Sequence, residues 1–123
     1  MSGGEEARTL GQWGEDLVAE NLRRKGWTIA ARNFRCRMGE IDIVVKNARY
    51  LAFVEVKLRK NDRFGAAREA VTSSKQRKLY TAAQYYLMKH PTKLQPRFDV
   101  AEVYAPGGTE TVSPEITYLE NAF

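Results

Sequence analysis

Asp42, Glu55 and Lys57 are the side chains in this sequence whose types and spacing best support chemistry. They lie in one stretch, GEIDIVVKNARYLAFVEVKLR, from Gly39 to Arg59. The stretch reads as two β-strands. Ile41, Ile43 and Val45 alternate with Asp42 and Val44, and after a break at Asn47–Arg49 a second apolar run begins at Leu51. Alternation places Phe53, Glu55 and Lys57 on one face of their strand. A two-residue turn at Ala48-Arg49 pairs Asn47 with Tyr50 and sets Asp42 opposite Glu55. Ala-Arg is poor turn chemistry, and a turn at Asn47-Ala48 leaves the acids on one face but one pair apart. Facing carboxylates repel, and burying either without a partner is costly. A hard divalent cation, Mg²⁺ or Mn²⁺, removes that repulsion through oxygen ligands and keeps waters for a phosphate. Lys57 points into the same space, where it can pair with the acids, orient a water or offset phosphate charge. The set suits metal-assisted phosphodiester hydrolysis.

Around this hairpin the chain reads as one domain. Residues 1–7 form a polar tail expected to be flexible, and residues 8–123 a single domain with one core. The net charge of +5 favours an anionic partner, and nucleic acid is the candidate. No apolar run approaches the roughly 20 residues of a membrane span, and one cysteine forms no internal disulfide. A cytoplasmic protein without membrane contact is the expectation.

The elements follow in order. Leu10, Trp13, Leu17, Val18 and Leu22 mark a helix that Gly26 ends. Glu15 borders its apolar stripe, either as a carboxylate reaching the hairpin or as a boundary residue paired with Arg8 or another cation. Trp27–Arg32 reads as a strand and Asn33–Gly39 as a loop, with Arg32, Arg35 and Arg37 interleaved with Phe34. That loop suits contacts to a nucleic-acid backbone, or it is simply solvated. Glu40 shares the Asp42 face, as an extra ligand or a rim carboxylate. Arg59, Lys60 and Arg63 fall in a polar segment beside the site, and a short helical turn is expected at Gly65–Ala70. A second helix starts near Thr72 and stops before Pro91, burying Leu79, Ala82, Ala83, Tyr86 and Leu87. Ser73-x-x-Gln76 is a capping-box pattern, while Gln76 also heads the buried stripe. Lys75, Arg77 and Lys78 stand against the helix dipole at its N-terminal end, which hints at an anionic ligand. Tyr80, Tyr85 and Tyr86 are read as packing residues. A strand at Arg97–Tyr104 carries Asp99, read as a partner of Arg97 or a further acid, and Ile116–Leu119 reads as a last strand.

The ordered set Asp42, then Glu55-Val56-Lys57, resembles the signature of the PD-(D/E)XK nucleases, the restriction-endonuclease-like superfamily. Ile41 stands where the superfamily name has proline. More closely, Gly39-Glu-Ile-Asp-Ile-Val, Phe53-Val-Glu-Val-Lys, Lys75-Gln-Arg, Arg97-Phe-Asp-Val and Glu120-Asn-Ala-Phe are similar to the YraN-like family of small bacterial proteins. That family is described as predicted endonucleases related to archaeal Holliday-junction resolvases. The resemblance runs from about Gly11 to Phe123. It implies an α/β fold with a restriction-endonuclease-like core, a mixed β-sheet flanked by α-helices. It implies a metal-dependent endonuclease acting on DNA, with branched or structured DNA as substrate, and a homodimer if both strands are cut. Asp42, Glu55 and the Val56 carbonyl would hold Mg²⁺ or Mn²⁺, Lys57 would position water, and Glu15 would assist. Lys75 or Gln76 would complete the site, with Gln76 taken as catalytic. Arg35, Arg37, Arg59, Lys60, Lys75 and Lys78 would meet nucleic acid. Fold does not fix function. A non-catalytic nucleic-acid-binding or adaptor protein with a vestigial site is the alternative, and a structural domain with a buried Lys57 ion pair is a third reading.

Overall fold

The computed structural model describes residues 9–61 and 71–123. The expected tail at 1–7, Arg8, Arg63 and the helical turn at Gly65–Ala70 lie outside the described residues. Helix α1 spans Leu10–Arg24 and opens on a reciprocal cap. The Gln12 N–H donates to the Thr9 hydroxyl at 3.1 Å, and the Gln12 side-chain oxygen accepts from the Thr9 N–H at 3.1 Å. Gly26, at φ +95°, lets the chain leave the helix in a left-handed conformation. Among the described residues five strands, one further α-helix and a 3₁₀ turn at Gly108–Glu110 follow, the strands and helix being β1 Thr28–Cys36, β2 Gly39–Lys46, β3 Tyr50–Arg59, α2 Ser73–Lys89, β4 Gln95–Tyr104 and β5 Glu115–Leu119. They form one sheet in the order β1-β2-β3-β4-β5. β3 and β4 run parallel, joined by the crossover that contains α2, and every other pair is antiparallel. This is the expected mixed sheet flanked by helices, consistent with a restriction-endonuclease-like core.

Alternation divides the sheet into two apolar faces. Ile43, Val45, Ala52, Val54, Ala101 and Val103 pack with Trp13, Val18 and Leu22 of α1. Val44, Leu51, Phe53 and Val100 pack with Leu79, Ala82, Ala83 and Tyr86 of α2. Gly39 lets β2 begin tight against α2, because a Cβ there would sit 3.2 Å from the Lys78 carbonyl oxygen. The Asn33–Gly39 segment is not the loop expected: β1 continues to Cys36, leaving only a tight turn before β2. Its strand pattern is obscured by a register shift between Ile29 and Ala31 and by Asn33, whose φ is +50°. Phe34 packs edge-on against Tyr86 at 5.1 Å, so this aromatic belongs to the core and not to a backbone-contacting loop.

Candidate functional site

The β2–β3 hairpin fixes the site, and its turn takes the two-residue form. Asn47 N–H donates to the Tyr50 carbonyl at 3.0 Å. The Asn47 side-chain oxygen accepts from the Arg49 and Tyr50 N–H groups at 2.9 and 2.7 Å. Asn47 thus supplies the turn chemistry that Ala48-Arg49 lacks. The ladder runs from Lys46↔Leu51 to Ile43↔Val54, and the next step would bring Asp42 opposite Glu55. There β2 departs from simple alternation: Ile41 packs on the α2 side although Ile43 packs on the α1 side. The Val56 N–H donates to the Asp42 carboxylate at 2.8 Å, so a side chain takes over from backbone pairing where the strands part. A residue's N–H and C=O share one edge of a strand. The Val56 carbonyl therefore points to the same edge as Asp42.

Glu55 is 5% exposed. Its Oε1 lies 3.6 Å from the Lys57 ammonium and 3.4 Å from that of Lys75, while its Oε2 is buried and has no hydrogen-bond partner among the described residues. Lys75 thus enters the carboxylate cluster from α2. Gln76 does not: its amide donates to the Val71 carbonyl at 3.0 Å, tying the start of α2 to the preceding segment. The helix cap is also displaced by one residue from the expected pattern, with Thr72 accepting from the Lys75 N–H at 3.2 Å. Lys75 precedes Leu79, Ala82 and Tyr86 by four, seven and eleven residues, so helical spacing alone could have marked it as facing the core end.

The electrostatics record how tightly the acids are gathered. Burial, then the charge of Glu55, push the Asp42 carboxyl up to about 6, with Glu40 adding and the Val56 N–H and Lys75 opposing. Burial also raises Glu15, against the Asn33 hydrogen bond, and Asp42 raises it further. Glu15 therefore stands near Asp42 from α1, with its Oε1 engaged by other groups. It accepts from the Asn33 amide at 2.9 Å and lies 3.8 Å from Arg32. The same amide reaches Glu40 at 3.3 Å. Asn33 is the site residue that sequence reasoning missed. Asparagine tolerates left-handed backbone, and its place in the register opposite Asp42 is visible only after β1 is extended. Glu40 is a rim carboxylate, 3.4 Å from Arg35.

The cations divide by what they already hold. Arg32 is bound to Asp16 at 2.8 Å, and Arg59 to Glu102 at 3.0 Å with its side chain 19% exposed. Each guanidinium already holds a carboxylate. Arg37, Lys60 and Lys78 are exposed, and Arg35 is exposed apart from its Glu40 contact. Asp99 is a structural acid. It is fully buried, accepts two hydrogen bonds from Arg97 at 2.9 Å, and takes further donors from the Tyr118 hydroxyl and the Asn121 N–H.

The residues fit a hard cation. Glu55 offers a buried oxygen without a donor among the described residues, Asp42 sits under like-charge repulsion, and a carbonyl shares the edge. Among the described residues, no group of three or more His, Cys, Asp or Glu side chains converges as a metal cage. An ion here would draw on two carboxylates and a backbone carbonyl and fill its shell with water or phosphate oxygens, the habit of Mg²⁺.

Residues 14–103 match the profile of a family described as uncharacterised protein family UPF0102. A UPF0102 protein of Caldicellulosiruptor saccharolyticus is 42% identical over 117 residues, covering 94% of this chain and 98% of that protein. One from Syntrophotalea carbinolica is 45% identical over 116 residues, covering 94% and 91%. One from Clostridium botulinum is 39% identical over 118 residues, covering 94% of each.

Proposed function

The chain belongs to the YraN-like UPF0102 family, and we propose that it is a metal-dependent endonuclease of the PD-(D/E)XK type that hydrolyses DNA phosphodiesters. The observation that carries this reading is the buried Glu55 oxygen without a partner among the described residues, beside an Asp42 carboxyl under repulsion and two lysines. The two lysines both approach Oε1, and an unpaired buried acceptor costs about 1–3 kcal/mol, a cost that a bound cation removes.

In this proposal Asp42, Glu55 and the Val56 carbonyl hold Mg²⁺ or Mn²⁺, which supplies charge stabilisation and a more acidic water. Hydrolysis forms a bond from water oxygen to phosphorus, breaks the bond to one bridging oxygen, and passes a proton to the departing oxygen. Lys57, 28% exposed at the mouth of the site, orients the water or offsets charge on the phosphate. Lys75 does the same from α2, and takes the role given by resemblance to Gln76. Glu15, held by Asn33, is a positioning acid at the far side of Asp42. Cutting both strands of a branched duplex requires two such sites, so a homodimer accompanies that version of the proposal.

The test is cleavage of linear, flapped, forked and four-way DNA in Mg²⁺, Mn²⁺ and chelator. Asp42→Asn and Lys57→Ala should abolish metal-dependent cleavage and retain DNA binding. If the wild type binds DNA and cleaves none of these substrates with either metal, the vestigial adaptor reading replaces this one.

A further inference from the structure

Beside the proposed site runs a groove that the hydrolytic chemistry does not use. It lies between the β1–β2 turn and the outer face of α2, with a volume of about 540 Å³. Its walls are basic: Arg35 from the end of β1, Arg37 from the turn and Lys89 from the helix. A second depression of about 530 Å³ shares Arg35 to Met38 and continues to Gly39, Glu40 and Lys78. Glu40 shares the Asn33 amide with Glu15, and Lys78 lies one helical turn from Lys75, which is 3.4 Å from Glu55. The groove therefore leads to the carboxylate cluster.

Its floor is apolar, and that decides the kind of anion. Met38 is 56% exposed, Met88 68% and Tyr85 39%. Tyr86 is buried, and Tyr80 packs on Phe98 at 4.7 Å, as expected of packing residues. Tyr85 also packs, its ring centroid 6.3 Å from that of Phe34, and in addition its ring lines the groove. The Lys89 ammonium rests 4.9 Å from the ring centroid, so a cation already uses the ring's π-face. A base stacked on Tyr85 would replace that contact and leave the ammonium for the next phosphate. Flexible thioethers on either side adapt to any base.

Resting on the nuclease reading, we infer that this groove binds an unpaired stretch of DNA next to the scissile phosphate, with a base on Tyr85 and phosphates on Arg35, Arg37 and Lys78. Only an unpaired nucleotide has a base face to offer, because stacking within a duplex covers both. Substrates with a single-stranded arm beside the cut are thus preferred over continuous duplex.

The experiment measures anisotropy of labelled single-stranded and duplex oligonucleotides in chelator, which keeps binding apart from cleavage. Tyr85→Leu should weaken single-strand binding about tenfold and leave duplex binding within about twofold. Tyr85→Phe should restore it, and Lys93→Gln, an exposed lysine away from the groove, should change neither. A 2-aminopurine base in the single strand should be quenched by the wild type and by Tyr85→Phe only. Equal loss for both oligonucleotides, or no loss, overturns the inference. So does a concentration-dependent dimer that Tyr85→Leu abolishes without effect on DNA binding, which would assign the face to a second copy. Tyr85-dependent stacking in a protein that cleaves nothing would sink the nuclease reading and leave the groove standing. Cleavage indifferent to Tyr85 and to substrate arms would do the reverse.

Discussion

Replacing Asp42 by asparagine separates the ionic cost of the site from its packing. Asparagine has nearly the same shape, and its oxygen can keep the Val56 N–H bond that the carboxylate accepts at 2.8 Å. Only the charge is lost. Burial and the neighbouring Glu55 raise the Asp42 carboxyl from an ordinary 3.8 to about 6. The other groups facing it are Glu40 on β2, Glu15 on α1 and Lys75 on α2. Between about pH 4 and pH 6 the folded chain holds this proton more tightly than the unfolded chain, so stability falls as pH rises through that window. At about 1.4 kcal/mol per pH unit, the metal-free fold at pH 7 carries a penalty of roughly 3 kcal/mol. Asp42→Asn removes it. In chelator at pH 7 the variant should gain about 2–3 kcal/mol, or about 8–12 °C in Tm for a domain of this size. The gain should vanish near pH 4, where wild-type Asp42 is already protonated. Mn²⁺ should raise the wild-type Tm at pH 7 and leave that of the variant nearly unchanged. Thermal denaturation followed by circular dichroism, with and without metal, reads all of these. A variant less stable than wild type in chelator at pH 7 would refute the reasoning, because the carboxylate would then be supporting the fold.

Cleavage in Mg²⁺ should fall as pH drops through about 6, since Asp42 must ionise to hold the ion, and excess metal should move that limb to lower pH; a flat rate from pH 5 to 8 counts against the assignment. Lys57→Ala should lower cleavage by about 10²–10⁴-fold with DNA affinity within about threefold, read by single-turnover kinetics and anisotropy. Asn33→Ala should cost about 1–2 kcal/mol in denaturant unfolding, because alanine tolerates the +50° φ poorly and Glu15 and Glu40 lose their shared donor. Arg97→Met strands the buried Asp99 charge and should cost about 3–5 kcal/mol whether or not metal is present, which separates this ion pair from the site acids.

The sequence by itself determined the elements and the principal acids. Periodicity marked both helices, apolar alternation marked β2, β3 and β4, and the two-residue turn pairing Asn47 with Tyr50 is the one that forms. Those signals are local: a strand's two-residue period and a helix's 3.6-residue period are written in neighbouring side chains. The tertiary structure decided whatever depends on partners distant in the chain. It extended β1 through Asn33, because Phe34 finds Tyr86 on α2 and Arg32 finds Asp16 on α1. It broke the alternation of β2 at Asp42, where a carboxylate takes the Val56 N–H. It brought Lys75 rather than Gln76 to Glu55, and gave Arg59 to Glu102 and Asp99 to Arg97. A charged side chain's role is set by the nearest opposite charge in space, and a single sequence does not say which charge that will be.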